Sequence, residues 1–478
     1  RSVHIRHSLG SSFSSLLMVQ GVVVDDGALV NTNPATGEVI CKVKIATPEE
    51  VNDAVARAKV AQTAWAALSL EARMALLKRA IEKMKGSENE LAGLITQEMG
   101  KVASEAAEEA AECIDQEVRL DLIQKANEPQ ELDGAVIVQE PHGIILICSP
   151  WNFPAAEILM LALPALAAGN TVVVKPSEVA PLTGAKVLEP LQKVLPVGCV
   201  ELCQGDGDVG RCLVAHPDIA MVAMTGSSAT GRRIMEACSS SLKRLVLELG
   251  GKDPMVIFAD SDLDTAAEDA VTWSLYNCGQ VCCGIERVYI EDSVKADFEA
   301  KVQERAKAFV AGDGTDPASK LGPMVSDMQR QIVKRHVDDA LAKGAKKLCE
   351  AEVRGKASGN FFPATVLTDV KQDMMIMQEE TFGPVVAIAG FDGSEAEALR
   401  LANDTEYGLS ACVYSGDRAK ARRVAMGIKA GQVGVNSYPM ASAPVACPWV
   451  GHKGSGFGYH SGADGYRQFS VPKSIVLS

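Results

Sequence analysis

From Gly143 onward, short and almost wholly apolar runs alternate with longer stretches in which apolar residues recur every three or four positions. The runs at 143–148, 171–175, 199–203, 220–224 and 244–249 predict strands, and the stretches at 155–168, 182–194, 208–215 and 228–240 predict helices between them. Strands of this kind are buried on both faces, so this part of the chain predicts a parallel, doubly wound sheet with ligands at the carboxyl ends of its strands. The alternation resumes after residue 250 as a second α/β lobe, with strands near 255–258, 286–291, 384–391, 408–414 and 432–436 and helices near 264–276, 293–310, 326–344, 394–403 and 416–428. Ahead of Gly143 the pattern is helical, at about 48–67, 70–85, 87–99 and 103–125, and Thr47-Pro48-Glu49-Glu50 gives the first of these a cap and a capping-box glutamate. Strands at 135–138 and 469–477 stand apart from both lobes.

Composition narrows the class. A chain of 478 residues is too long for one ordinary core. With 23% charged and 47% hydrophobic residues it reads as a globular enzyme, and a net charge of −14 without a basic patch argues against nucleic acid or an anionic membrane as partner. The most apolar run, 158–168, is about half the ~20 residues a membrane helix needs and contains Pro164, so no span is predicted. Thirteen irregularly spaced cysteines suit reduced, intracellular thiols better than a disulfide framework. The first 24 residues carry Arg1, His4, Arg6, His7 and six serines with no acid, which resembles an organellar transit peptide or its remnant; an appended arm is the other reading, and Met18 is an internal start candidate.

The candidate chemistry gathers in the segment 244–287. Glu248 interrupts an apolar strand, where a carboxylate is costly unless it has a task or a partner, and Cys282 follows the turn-prone run Asn277-Cys278-Gly279-Gln280. A thiol and a carboxylate base are the minimum for making and hydrolysing a thioester. Cys278, Cys282 and Cys283 match no zinc spacing and have no histidine nearby, so no metal is expected. Gly205-Asp206-Gly207-Asp208-Val209-Gly210 fits G-x-G-x-x-G between a strand and a helix, but no acid lies about 20 residues on, so Gly207 is either a pyrophosphate contact or part of a tight turn. Lys175 and Glu178, after the second strand, are better ribose candidates, with an exposed turn as the alternative. Gly226 and Ser227 open another helix and suit phosphate or a plain cap. Asn152, between two prolines, is either an oxyanion donor or structural.

Taken together, PWNFP at 150–154, KPSE at 175–178, MTGSSATG at 224–231, LELGGKDP at 247–254, NCGQVCCG at 277–284 and EETFGPV at 379–385 resemble the aldehyde dehydrogenase superfamily, over about 31–477. The resemblance implies that Cys282 attacks an aldehyde, that Asn152 and the Cys282 N–H hold the oxyanion, and that Glu248 activates water against the thioester. It implies a nicotinamide cofactor contacted by Trp151, Ser227, Glu380 and Phe382, with Lys175 and Glu178 at the adenosine ribose; Glu178 should repel a 2′-phosphate, so NAD is favoured over NADP. It also implies a Rossmann-like cofactor lobe at 18–122 and 142–250, a catalytic lobe at 251–441, and a small β arm at 123–141 and 466–478 that pairs subunits into a homodimer or homotetramer, with 1–17 as an N-terminal extension.

By the same alignment Glu157, Met160, Tyr276 and Cys283 line the aldehyde tunnel, together with the loop from Tyr438 to Trp449. Succinate-semialdehyde members resemble this chain but carry arginine where Met160 stands, which weakens that assignment. Glu157, if it faces the tunnel, favours a cationic or neutral aldehyde, and the alternative is a helix cap. Two rivals are a CoA-acylating relative, which lacks a base like Glu248, and a catalytically silent relative that keeps the fold.

Overall fold

The computed structural model describes residues 17–19 and 22–477. Residues 1–16 of the segment that resembles a transit peptide lie outside them. Among the described residues no helix is long and apolar enough to cross a membrane.

Two mainly parallel sheets organise the chain, the second with one antiparallel edge strand, Lys346–Glu350. The first runs Arg244–Glu248, Ile219–Thr225, Ile144–Cys148, Thr171–Lys175, Val200–Leu202 in space, with the short strand Gly456–Phe457 antiparallel on its edge. Every strand pair inside it is parallel because a helix returns the chain each time. Its residues divide by pleat: Ile145 and Ile147 enter one core cluster with the helix Ala156–Ala167, while Ile144 and Leu146 enter another with Val51 and Val55 from the helix Pro48–Ala66. The second sheet repeats the device, with Met255 and Ile257 of Asp253–Ile257 in one cluster and Val256 in the other. Its spatial order is Lys346–Glu350, Thr365–Thr368, Val385–Phe391, Ile285–Glu291, Asp253–Ile257, Ser410–Tyr414, Gln432–Val435. Both lobes are thus doubly wound, as the alternation predicts.

Two smaller antiparallel sheets complete the molecule. One is a meander from Leu17–Val19 to Val39–Lys44; the other pairs Ser470–Val476 with Ala135–Pro141 and that strand with Gln130–Leu132. This second small sheet leaves Leu132, Ile475 and Val476 exposed, Leu132 and Val476 on one face and Ile475 on the other.

Three local expectations need correction. The helix expected at 103–125 is two, Ala103–Ile114 and Glu117–Asn127. Gln116 sits at the break, its side-chain amide donates to Glu112 O at 2.5 Å, and the turn brings Arg119 to Glu112 at 3.2 Å. The strands Lys346–Glu350 and Thr365–Thr368 were not expected, because the first is an edge strand with three exposed charged side chains and the second is only four residues long. Gly456–Phe457, a two-residue edge strand, leaves no periodic signal at all.

The first sheet carries its switch point between Ile144–Cys148 and Ile219–Thr225, where successive connections leave in opposite directions. Ligands bind at such a crevice in open α/β sheets. The residues that follow these strands are Ser149 to Pro154 and Gly226 to Ser227.

Candidate active site

Cys282 reaches this crevice through an unusual turn. After the helix Leu263–Leu275, Asn277, Cys278 and Gly279 take left-handed φ values of 52°, 57° and 69°. Asparagine and glycine enter that region most readily, whereas Cys278 is held there by its surroundings. The Asn277 amide ties the turn by donating to Asn152 O and Gln280 O, each at 3.1 Å. A Cβ on Gly279 would stand 2.1 Å from Gly383 O, so the turn is pressed against the 379–384 segment. Asn152 donates from Nδ2 to Gln280 O at 3.1 Å, which leaves the second N–H of the amide for another acceptor.

Glu248 ends its strand buried, at 5% exposure. Its Oε1 accepts from Trp449 Nε1 at 3.4 Å and its Oε2 is buried with no partner. Burial and the neighbouring Glu157 push its carboxyl up to about 8, against hydrogen bonds from Cys282 and Trp449. The Cys282 thiol is also held above its usual range, by its hydrogen bond with Cys283, by burial and by Glu248. A resting neutral thiol needs a base to become a nucleophile, and Glu248 is the neighbouring carboxyl in the same cleft.

Two openings meet at the sulfur. A tunnel of about 360 Å³ is walled by Phe153, Glu157, Met160, Tyr276, Cys283 and Trp449 among others. A cleft of about 290 Å³ is walled by Trp151, Asn152, Gly226, Ser227, Glu380 and Phe382, with Glu248 at its end. Cys282 belongs to both walls.

The cleft fits a dinucleotide. Ser227 both lines it and caps the helix Ser228–Cys238, accepting from Thr230 N–H at 3.3 Å. Gly226 leaves the backbone there bare; a Cβ would lie 2.5 Å from Met224 Cε, the end of a flexible side chain. Trp151 and Phe382 meet edge to face at 5.3 Å, offering a ring surface. Lys175 and Glu178, buried rather than an exposed turn, pair at 3.3 Å at the end of the second strand of this lobe. Neither that pair nor Gly207 is among the residues that wall the cleft beside Asn152 and Cys282; Gly207 begins the helix Gly207–Ala215, whose N-terminus the Asp206 carboxylate caps by accepting from Asp208 N–H at 2.9 Å. The neighbouring Gly210 instead packs on Lys175, with its missing Cβ 3.5 Å from the Lys175 side chain.

The far wall of the cleft rests on a clamp that sequence reasoning missed. Glu286 accepts from Thr381 N–H at 2.8 Å and Phe382 N–H at 2.9 Å, and pairs with the fully buried Lys252, which also donates to Thr381 Oγ1 at 3.0 Å. This holds Phe382 at a left-handed φ of 51°. Glu380 accepts from Gly251 N–H at 3.0 Å, and burial with the nearby Glu286 pushes its carboxyl up to about 8. The signal was available as two charged residues, Lys252 and Glu286, beside apolar strands.

Comparisons with known proteins converge. The sequence profile of the aldehyde dehydrogenase family matches residues 24–475. A betaine aldehyde dehydrogenase of Rhizobium etli is 38% identical over 463 residues, 95% of this chain and 94% of its own length. A crystal structure of betaine aldehyde dehydrogenase from Staphylococcus aureus in complex with NAD+ superimposes with a TM-score of 0.89 at 33% identity, over 94% of this chain and 92% of that one. Aldehyde dehydrogenase C of Pseudomonas syringae, in complex with NAD+ and octanal, gives 0.89 at 32% identity over 96% of each chain.

The clamp generates a stability prediction. Lys252→Met leaves Glu286 buried without its cation and should cost about 3–5 kcal/mol in urea unfolding, whereas Lys252→Met combined with Glu286→Gln should recover much of that loss. A single variant as stable as the parent would mean that the pair does not hold the loop.

Proposed function

The chain belongs to the aldehyde dehydrogenase family, and on that premise we propose how its own residues carry out the NAD-dependent oxidation of an aldehyde to the acid. The observation that carries the reading is the position of Cys282 in the walls of both openings, so that an aldehyde in the tunnel and a nicotinamide in the cleft meet at one sulfur. Glu248 takes the thiol proton, sulfur adds to the carbonyl carbon, and the free N–H of Asn152 with the Cys282 N–H receives the oxyanion. The bound cofactor supplies the hydride acceptor, which leaves an acyl group on Cys282. Glu248 passes the thiol proton to solvent before hydrolysis, then takes a proton from water as the water oxygen bonds to the acyl carbon, and the C–S bond breaks with its electrons returning to sulfur, which regains a proton.

Glu178 at the second strand supports NAD over NADP, because a carboxylate repels a 2′-phosphate. Thirteen free thiols support an intracellular setting, cytoplasmic or mitochondrial.

The tunnel supports a positively charged aldehyde as substrate. Its walls include Glu108, Glu109, Glu112 and Glu157 but only one cation, Arg119, which is turned to Glu112 at 3.2 Å. Glu109 is spent on Lys101, at 2.6 Å. Glu108 at the mouth and Glu157 near the sulfur are left to face a ligand, with Tyr276 and Trp449 supplying aromatic surface. A small quaternary ammonium aldehyde, the substrate class in the names of the Rhizobium and Staphylococcus relatives, fits that lining. With methionine at 160 in place of arginine, the only cation left in the tunnel wall for a substrate carboxylate is Arg119, which Glu112 already engages.

The exposed apolar residues of the edge strand Ser470–Val476 support assembly as a homodimer or homotetramer.

Three outcomes are expected. Glu248→Gln should slow both the formation of the first NADH per subunit and the hydrolysis that follows, with steady-state turnover down about 10³-fold or more; undiminished turnover would remove Glu248 from the role. Betaine aldehyde should exceed 3,3-dimethylbutanal, its uncharged isostere, by about tenfold or more in kcat/KM, since one partly solvated charge interaction contributes ~1–2 kcal/mol; equal values would discard the cationic reading. Sedimentation at micromolar concentration should give two or four subunits, and a monomer would contradict the assembly.

A further inference from the structure

Glu157 lies in the first turn of the helix Ala156–Ala167 and faces the tunnel beside Cys282. Its Oε2 accepts a hydrogen bond from Thr225 Oγ1 at 2.9 Å. Thr225 ends its strand directly across the parallel ladder from Glu248, and both line the cleft. The second oxygen of Glu248 is buried and unpartnered. Two carboxyl groups on neighbouring elements therefore close on one small volume, one at the tunnel end and one at the cleft end.

The groups around them supply no compensating cation. Glu157 is approached by Glu109 and Glu112 from the helix Ala103–Ile114 and by Arg119 from the helix Glu117–Asn127, and Arg119 is engaged by Glu112. Glu109 is taken by Lys101 and by the N–H groups of Ala155 and Ala156. Glu248 meets the Cys282 thiol, the Trp449 N–H and, further off, Glu380. No lysine, arginine or histidine is among the residues that wall the cleft. Like charges so placed and so buried do not both ionise cheaply. Burial pushes both carboxyls up, Glu157 to about 7 and Glu248 to about 8.

We propose that Glu157 is a positioning residue for Glu248, the two carboxyls holding one proton and one negative charge between them, so that Glu157 sets the pH at which Glu248 can take a proton from water. This rests on the reading of Glu248 as the base. In the hydrolytic step the proton leaving water enters this pair, the water oxygen stays on the acyl carbon, and the pair passes its extra proton to solvent through the tunnel that Glu157 lines. The Thr225 hydroxyl fixes one of the two oxygens and keeps the carboxyl of Glu157 turned toward its neighbour.

The test is the decay of the acyl-enzyme formed in a single turnover of acetaldehyde with NAD, followed from about pH 6 to about pH 9. Glu157→Gln keeps the size of the side chain and an oxygen for Thr225 but removes the repulsion. Its acid limb should move to lower pH by about one unit, and Glu157→Asp should bring the limb back toward the parent. A purely structural role would change the height of the profile and leave the limb in place. A limb that stays put in Glu157→Gln, or moves toward alkali, overturns the proposal. Glu248→Gln separates the two failures: if it arrests decay while the limb of Glu157→Gln is unmoved, only the pair is wrong, and if it does not arrest decay, the base assignment falls with it.

Discussion

Four residues, 249–252, carry the chain from the last strand of one parallel sheet to the first strand of the other, and everything at the site depends on how closely their backbone is approached. A Cβ on Gly250 would lie 2.5 Å from the Glu380 carboxylate, and one on Gly251 would lie 2.3 Å from the Cys282 carbonyl oxygen. No side chain fits at either position without moving a residue of the site. The bare backbone lets the thiol loop and the cleft wall of the second lobe close on the carboxyl end of the first. Glu248, immediately before this crossing, then faces a sulfur that lies 34 positions further along the chain.

The electrostatics follow from the same closeness. Cys282, Glu248, Glu157 and Glu380 are packed together at the junction, and burial favours the neutral form of each. A site that does not ionise all of these groups at once limits the cost of buried charge and moves a proton when the reaction demands it. The cations nearby serve other purposes: Lys252 holds the loop 381–382 through Glu286, and Lys101 lies over the Phe153 ring at 3.9 Å while holding Glu109 at the start of the helix Ala156–Ala167. Structural charge is thus paired and chemical charge is left open, which makes the centre responsive to pH and to a substrate's charge.

Much of the fold was legible because burial on two faces leaves a plain trace. Thr171–Lys175, bounded by Gly169-Asn170 and Pro176, matches its predicted limits, and the alternation of such runs with helices gives both doubly wound lobes. Edge strands escaped because exposed charged residues in Lys346–Glu350 carry no apolar period, and the helix break at Gln116 depends on contacts with Glu112 and Arg119 that no local pattern encodes. The thiol and the carboxyl were legible as oddities within apolar surroundings; their meeting was supplied by resemblance, since spacing alone does not bring residues 248 and 282 together. The Thr225 bridge and the Trp449 N–H are contacts between distant segments that no local pattern encodes.

In this mechanism one sulfur carries the acyl group between oxidation and hydrolysis. Rapid acid quench of the enzyme during turnover of an aldehyde with NAD, followed by fragment-ion mass mapping, should find an acyl increment localised to Cys282. An increment on the adjacent Cys283, or NADH formed with no acylated cysteine at any time point, would contradict it.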